Sequence, residues 1–168
     1  TSAFNSAGQR CSALRVLYLQ EDSAPRILEM LQGAMDELRL GDPWDPATDI
    51  GPVIDPVARD RIEAHVAKFA ETGAVLQRTP VPETGSFVAP TLIKVSGLAD
   101  VPEEVFGPVL HVATFRASEL DAVISGINAT GYGLTFALHT RIDGRAEEIV
   151  AQLKAGNVYV NRNQIGAV

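Results

Sequence analysis

Apolar positions fall along this chain in two alternating rhythms. Val16 to Leu19 is an unbroken apolar run closed by Arg15 and Gln20, the pattern of a short strand buried on both faces. Behind it, Ile27, Leu28, Leu31, Met35 and Leu38 recur at three- and four-residue steps, which predicts a helix with one apolar stripe. Asp22 or Ser23 is placed to cap that helix, Pro25 suits its first turn, and Gly41 is expected to end it. Asp42-Pro43-Trp44-Asp45-Pro46 reads as a loop by turn chemistry. Asp55-Pro56 then predicts an N-cap with proline at the first helical position. Ile62, Val66 and Phe69 form that helix's buried face, and Gly73 its stop.

Residues 74–77 read as a strand, 79–86 as a turn or hairpin loop, and 87–95 as extended chain. Pro90 cannot donate to a ladder, which favours a sheet edge for that last segment. The second half continues the alternation. Val109 to Phe115 is a strand, and Ser118 is the expected cap of a helix carrying Leu120, Val123, Ile124 and Ile127. Gly131-Tyr132-Gly133 turns into a strand over 134–140. A helix starting at Asp143 carries Ile149, Val150 and Leu153 and is stopped by Gly156. Val158 to Val160 is the last strand. Strands alternating with helices of this length predict an α/β fold: a mostly parallel sheet with helices on both faces.

The length of 168 residues fits one domain, residues 1–168, with a substantial core. With 46% apolar and 21% charged residues, the composition argues against disorder. No apolar run approaches the ~20 residues of a membrane-spanning helix, and the N-terminus lacks the basic-then-apolar pattern of a signal peptide. A net charge of -7 argues against nucleic acid as a partner, because phosphate-backbone binding relies on clustered Lys and Arg. A lone cysteine without a secretion signal fits a reducing, cytoplasmic setting. The chain opens at Thr1 a few residues before that cysteine and stops at Gly166-Ala167-Val168 directly after a strand, so it is expected to be part of a larger protein.

The candidate chemistry gathers at the front. Phe4-Asn5-Ser6-Ala7-Gly8-Gln9-Arg10-Cys11-Ser12 places the only cysteine in a run of small, turn-prone residues just ahead of a buried strand. Such a thiol can face a substrate while the strand fixes its position. On composition alone, Cys11 is equally well a small apolar residue of the core, since a single cysteine has no internal disulfide partner. His65, His111 and His139 are unclustered in sequence, with no cysteine or carboxylate at ligand spacing, so no metal site is expected. Gly131-Tyr132-Gly133 lacks the Lys-Ser/Thr of a P-loop and the third glycine of a dinucleotide fingerprint. Arg10, Arg15 and Arg162 could favour a thiolate or an anionic substrate, or form a solvated rim.

Phe4 to Cys11 resembles the cysteine signature of the aldehyde dehydrogenase superfamily, Phe-x-x-x-Gly-Gln-x-Cys. Glu103-Glu104-Val105-Phe106-Gly107-Pro108-Val109 is similar to the Glu-x-Phe-Gly-Pro-Val of the same superfamily, in its order and at about its separation. The resemblance implies a catalytic domain in which Cys11 is the nucleophile and its backbone N–H an oxyanion donor. Glu104 and Phe106 would hold the nicotinamide ribose of NAD. Ser12 and the closing Gly156-to-Asn163 and Gly166-Ala167 stretches resemble the glutamate semialdehyde (pyrroline-5-carboxylate) dehydrogenase branch, most of all the dehydrogenase half of bifunctional proline-catabolic proteins. In that branch, Ser12, Gly166 and Ala167 would hold the α-carboxylate of the aldehyde substrate. An upstream FAD-bearing proline-oxidising domain is implied by resemblance alone, as is a homo-oligomeric intact protein.

In the family the cofactor-binding domain, the general-base glutamate and the asparagine oxyanion donor all precede the cysteine, so the resemblance implies the rest of the parent chain as a partner. Other aldehyde specificities, or a non-catalytic scaffold that kept the fold, stay open at this level. The isolated chain is expected to turn over aldehyde far more slowly than the intact protein, and comparable rates would refute that.

Overall fold

The computed structural model describes residues 1–166. Its strands form two sheets. The larger contains β1 (Val16–Gln20), β2 (Val75–Arg78), β3 (Thr91–Lys94) and β4 (Val109–Phe115) in the order β1-β4-β3-β2. The β1–β4 and β3–β4 pairs are parallel, and β2 closes one edge antiparallel to β3 with an irregularity between Val75 and Gln77. The smaller sheet is a parallel pair, β5 (Thr135–Leu138) and β6 (Asn157–Val160). The helices α1 (Ala24–Asp36), α2 (Pro56–Ala70), α3 (Leu120–Ala129) and α4 (Asp143–Gln152) are interleaved between them. The α4 segment makes the crossover that two parallel neighbours require.

The central strand explains the arrangement. Residues Val109 to Ala113 are all buried, so both faces of β4 are covered and its sequence reads as a continuous apolar run. Leu92, Ile93, Val109, Leu110 and Val112 are at most 2% exposed and form the middle of the core. Asp55 caps α2 as expected: its carboxylate accepts from the Ala58 N–H at 2.7 Å, with Pro56 at the start of the helix.

Several local expectations are corrected. The first helix ends at Asp36 rather than reaching Gly41, and Ser23 makes no cap; its hydroxyl donates to the Gln20 carbonyl instead. Ser118 is not a cap either. Residues Ala117–Glu119 form a short 3-10 turn, and Glu119 reaches back to accept from the Arg116 N–H at 2.8 Å. The 87–95 segment is interior, with β3 lying between β2 and β4. Pro90 sits just ahead of the ladder, where its missing N–H costs nothing and its carbonyl accepts from Thr79 at 3.0 Å.

The histidines differ most from expectation, since His65 and His111 are in contact. Their Nε2 atoms are 2.9 Å apart, and Phe69 packs on both rings. His111 is 1% exposed at the centre of the sheet, on the rung between Val16 and Ile93. Its Nδ1 faces the Arg15 carbonyl at 3.1 Å. A carbonyl only accepts, so Nδ1 carries the proton, Nε2 of His111 is the acceptor, and His65 donates to it. A proton added to His111 would set two N–H groups against each other. Burial pushes His111 down to about 4 and also lowers His65. Among the described residues no group of three or more metal-ligating side chains exists around this pair or elsewhere.

A histidine with a depressed native pKa leaves stability intact above its unfolded value of ~6.5 and loses it as pH falls toward the native value. The urea midpoint is therefore expected to drop between pH 6.5 and 4, with His111 contributing up to ~3 kcal/mol. The profile of His111→Met should be flatter over the same window. Parallel profiles would show that the pair does not control acid stability.

Candidate active site

The cysteine loop is built on an unusual backbone turn. Ser6, Ala7 and Gly8 all adopt left-handed conformations, with φ of 56°, 53° and 64°. Two of them carry side chains, and each such residue costs roughly 1 kcal/mol or more. The surroundings hold the turn in place. Phe4 and Ala7 are buried in the core, the Ser6 carbonyl accepts from the Gln9 N–H at 3.0 Å, and Arg10 Nε donates to Ser6 Oγ at 2.9 Å. Gln9, part of the sequence motif, accepts from the Ile54 N–H through Oε1 at 2.9 Å and so fastens the loop to the chain just ahead of α2.

Arg10 to Ala13 then make a tight turn, closed by the Ala13 N–H donating to the Arg10 carbonyl at 3.0 Å. Cys11 lies on its exposed side with a free thiol, so the reading of a small buried hydrophobe is ruled out. Neither the Cys11 nor the Ser12 N–H donates to a protein acceptor among the described residues.

Arg15 joins this loop to the second motif. Its Nε donates to Glu104 Oε1 at 3.0 Å, and Nη2 lies 2.9 Å from the same oxygen in an ion pair. Nη1 donates to the Gly8 carbonyl at 2.7 Å and reaches the Gly107 carbonyl at 3.3 Å, while Nη2 also donates to the Arg10 carbonyl at 3.0 Å. The guanidinium carbon lies 4.9 Å from the centre of the Phe106 ring, a cation–π arrangement. Burial lowers the Arg15 pKa, and the hydrogen bond and charge of Glu104 oppose that shift. Sequence reading assigned Arg15 only to a diffuse cationic rim. Its planar fork of five donors is what lets one side chain serve three carbonyls and a carboxylate.

The two motifs also touch through backbone. A Cβ on Gly8 would run into the Gly107 carbonyl, and one on Gly107 would run into the Ile62 side chain of α2. The motif glycines are thus set by close approach between segments far apart in sequence. Glu104 and Phe106 line an open groove of about 450 Å³ against α2, together with Arg61, His65 and Lys68. Phe106 is 45% exposed there and the Glu104 side chain one-third exposed.

The residues assigned to a substrate carboxylate divide. Ser12 is buried directly beneath Cys11, its carbonyl accepting from Gln164 Nε2 at 3.1 Å and Thr135 Oγ1 at 3.4 Å. Gly166 is exposed and its carbonyl accepts from the Tyr159 hydroxyl at 3.3 Å. Ala167 lies outside the described residues. Gln164 had no signal in the sequence, since a lone glutamine in a terminal segment reads as surface. His139 and Arg162 do not join the site; the guanidinium of Arg162 stacks on Tyr159 at 5.0 Å.

The model of the aldehyde dehydrogenase family matches residues 1–168. The bifunctional protein PutA of Klebsiella aerogenes is 49% identical over 175 residues, covering 99% of this chain and 13% of that protein. The betaine aldehyde dehydrogenase of Brucella melitensis is 32% identical, covering 98% of this chain and 35% of that enzyme. Among solved structures, a bifunctional proline utilization A (PutA) protein superposes with a TM-score of 0.95 at 52% identity, covering 99% of this chain and 17% of that one. Betaine aldehyde dehydrogenase from Staphylococcus aureus in complex with NAD+ gives 0.87 at 29% identity, covering 96% and 33%. The chain therefore spans about one-eighth of the PutA relatives it matches.

The Gly8–Gly107 contact gives a sharp test. Gly8→Ala, strained in φ and blocked by the Gly107 carbonyl, is expected to destabilise by roughly 2 kcal/mol or more. Gly33→Ala, inside α1 with nothing within 4 Å of the added carbon, should stabilise by ~0.5–1 kcal/mol. Equal urea midpoints for the two variants would contradict the junction.

Proposed function

This chain belongs to the aldehyde dehydrogenase family, and from that premise we propose that it is the cysteine-bearing catalytic part of a larger NAD-dependent glutamate semialdehyde dehydrogenase acting in proline catabolism. The observation that carries the reading is the exposed Cys11 thiol on its Arg10–Ala13 turn, tied through Arg15 to Glu104 and Phe106. The high identity to PutA proteins along the whole chain supports the branch.

Cys11, as thiolate, adds to the aldehyde carbon and forms a thiohemiacetal. The oxyanion that develops accepts a hydrogen bond from the Cys11 N–H, which has no protein acceptor of its own among the described residues. NAD, which Glu104 and Phe106 would help to hold, would supply the hydride acceptor for that carbon. The product on Cys11 is a thioester, and water cleaves it to carboxylate and free thiol, releasing two protons over the cycle.

Glu104 and Phe106 are the residues of this chain that would hold the nicotinamide ribose. Their chemistry fits: a part-exposed carboxylate accepts from ribose hydroxyls, and a half-exposed aromatic ring packs against a sugar or a flat heterocycle. Arg15 holds the Glu104 carboxylate in place. The remaining NAD contacts, and any FAD, belong to the rest of the parent protein. Ser12, with the backbone around Gly166 and Ala167, would hold the α-carboxylate, as short N–H-rich segments hold anions.

The test is NADH formation from pyrroline-5-carboxylate by the full-length parent, with and without Cys11→Ala. Turnover is expected to fall by at least ~10³-fold. Oxidation of neutral aldehydes alone would keep Cys11 and remove the carboxylate assignment. No aldehyde oxidation by a folded, NAD-binding parent would leave the scaffold reading.

A further inference from the structure

Beneath the cysteine turn lies a buried polar cluster that the chemistry above does not use. Gln164 is 4% exposed, although its neighbour Asn163 is exposed and Gly166 lies at the surface. Burying a primary amide is costly unless its donors find partners. Gln164 Nε2 donates to the Ser12 carbonyl at 3.1 Å and reaches Thr135 Oγ1 at 3.4 Å, and the Gln164 N–H meets Ser2 Oγ at 3.3 Å. The Thr135 hydroxyl in turn donates to the same Ser12 carbonyl at 3.4 Å. Gln164 therefore links three segments: its side chain joins the residue after the nucleophile to the first residue of β5, and its backbone N–H reaches the stretch before the cysteine loop.

The Ser12 carbonyl has both of its acceptor positions taken, which fixes the peptide plane following Ser12 and with it the Ser12 backbone. The other end of the Gln164 segment is held as well. Asn163 Oδ1 accepts from the Ile165 N–H at 3.3 Å, and the Tyr159 hydroxyl of β6 donates to the Gly166 carbonyl at 3.3 Å. A leucine or methionine would fill the same volume, but only a donor satisfies a buried carbonyl, so packing alone does not account for the amide.

We propose that Gln164 is a specificity-determining positioning residue, which locks the 163–166 segment to the nucleophile turn so that Ser12 and that segment present one fixed anion subsite beside Cys11. The claim rests on the proposed substrate reading but assigns Gln164 a role that reading does not contain. Gln164 touches no reacting atom. It acts through Ser12, and its loss weakens recognition of an acidic aldehyde more than of a neutral one.

The experiment compares the full-length parent with Gln164→Met and Gln164→Glu. It measures kcat and KM for pyrroline-5-carboxylate and for a neutral aliphatic aldehyde, and the rate of Cys11 alkylation by iodoacetamide. Gln164→Met, which keeps volume and loses the donors, is expected to lower the acidic-to-neutral ratio of kcat/KM about tenfold, mainly through KM. KM for NAD should not move. Gln164→Glu sets an ionised acceptor against the Ser12 carbonyl, and its ratio should recover as pH falls and the carboxyl becomes a donor. A purely structural residue would lower kcat for both aldehydes alike and would show no such recovery. An unchanged ratio in both variants overturns the proposal. Should Gln164→Met not fold, the pH response of Gln164→Glu decides. If the wild type itself shows no preference for the acidic aldehyde, the substrate reading has failed. The positioning role is then judged from alkylation alone, and unchanged Cys11 alkylation in both variants overturns it.

Discussion

The two sequence motifs of this chain are tied together by one guanidinium. Arg15 immediately precedes β1, and from there it binds the Gly8, Arg10 and Gly107 carbonyls and the Glu104 carboxylate and lies over Phe106. Two motifs separated by some ninety residues are held in register by this one side chain. The pair is partly buried, with side-chain exposures of 15% and 33%, so loss of either partner would leave a charge that water only partly solvates. Lysine would not substitute, because a compact ammonium lacks the planar fork that reaches several carbonyls at once.

The backbone of Arg15 is as constrained as its side chain. Its carbonyl accepts from the His111 N–H at 3.0 Å and from the His111 ring. His111 is fixed by its place in the sheet and by His65 on α2. A line of contacts thus runs from α2 through β4 and Arg15 to the cysteine turn. Gln9 makes a second connection from the same loop to the chain just ahead of α2. These contacts hold Ser6 and Ala7 in the left-handed region against their local preference. Backbone of that kind persists where the surroundings over-determine it, and it clusters at working sites.

Most of the element pattern was legible locally. The α2 cap at Asp55-Pro56, the β4 run and the start of α4 at Asp143 lie where side-chain period and turn chemistry placed them. The misreadings share one cause: they concern what a segment packs against. Pro90 suggested an edge, yet β3 is interior because the ladder begins one residue later. Leu38 continued the apolar stripe of α1 after the helix itself had ended. Ser118 had the chemistry of a cap, but Glu119 was better placed to accept from Arg116.

Sequence by itself determined the α/β alternation, the nucleophile candidate and the family, because hydrophobic period is a local property and the two motifs are contiguous strings. It could not pair His65 with His111, give Arg15 its partners or draw Gln164 under Ser12. Each of those depends on which segments folding brings within three or four ångströms, and a polar residue's role is set by its partners rather than by its type. The split of the strands into two sheets was decided at that same level. Strand order follows from how crossovers stack on a shared core, and no window of the chain contains that information.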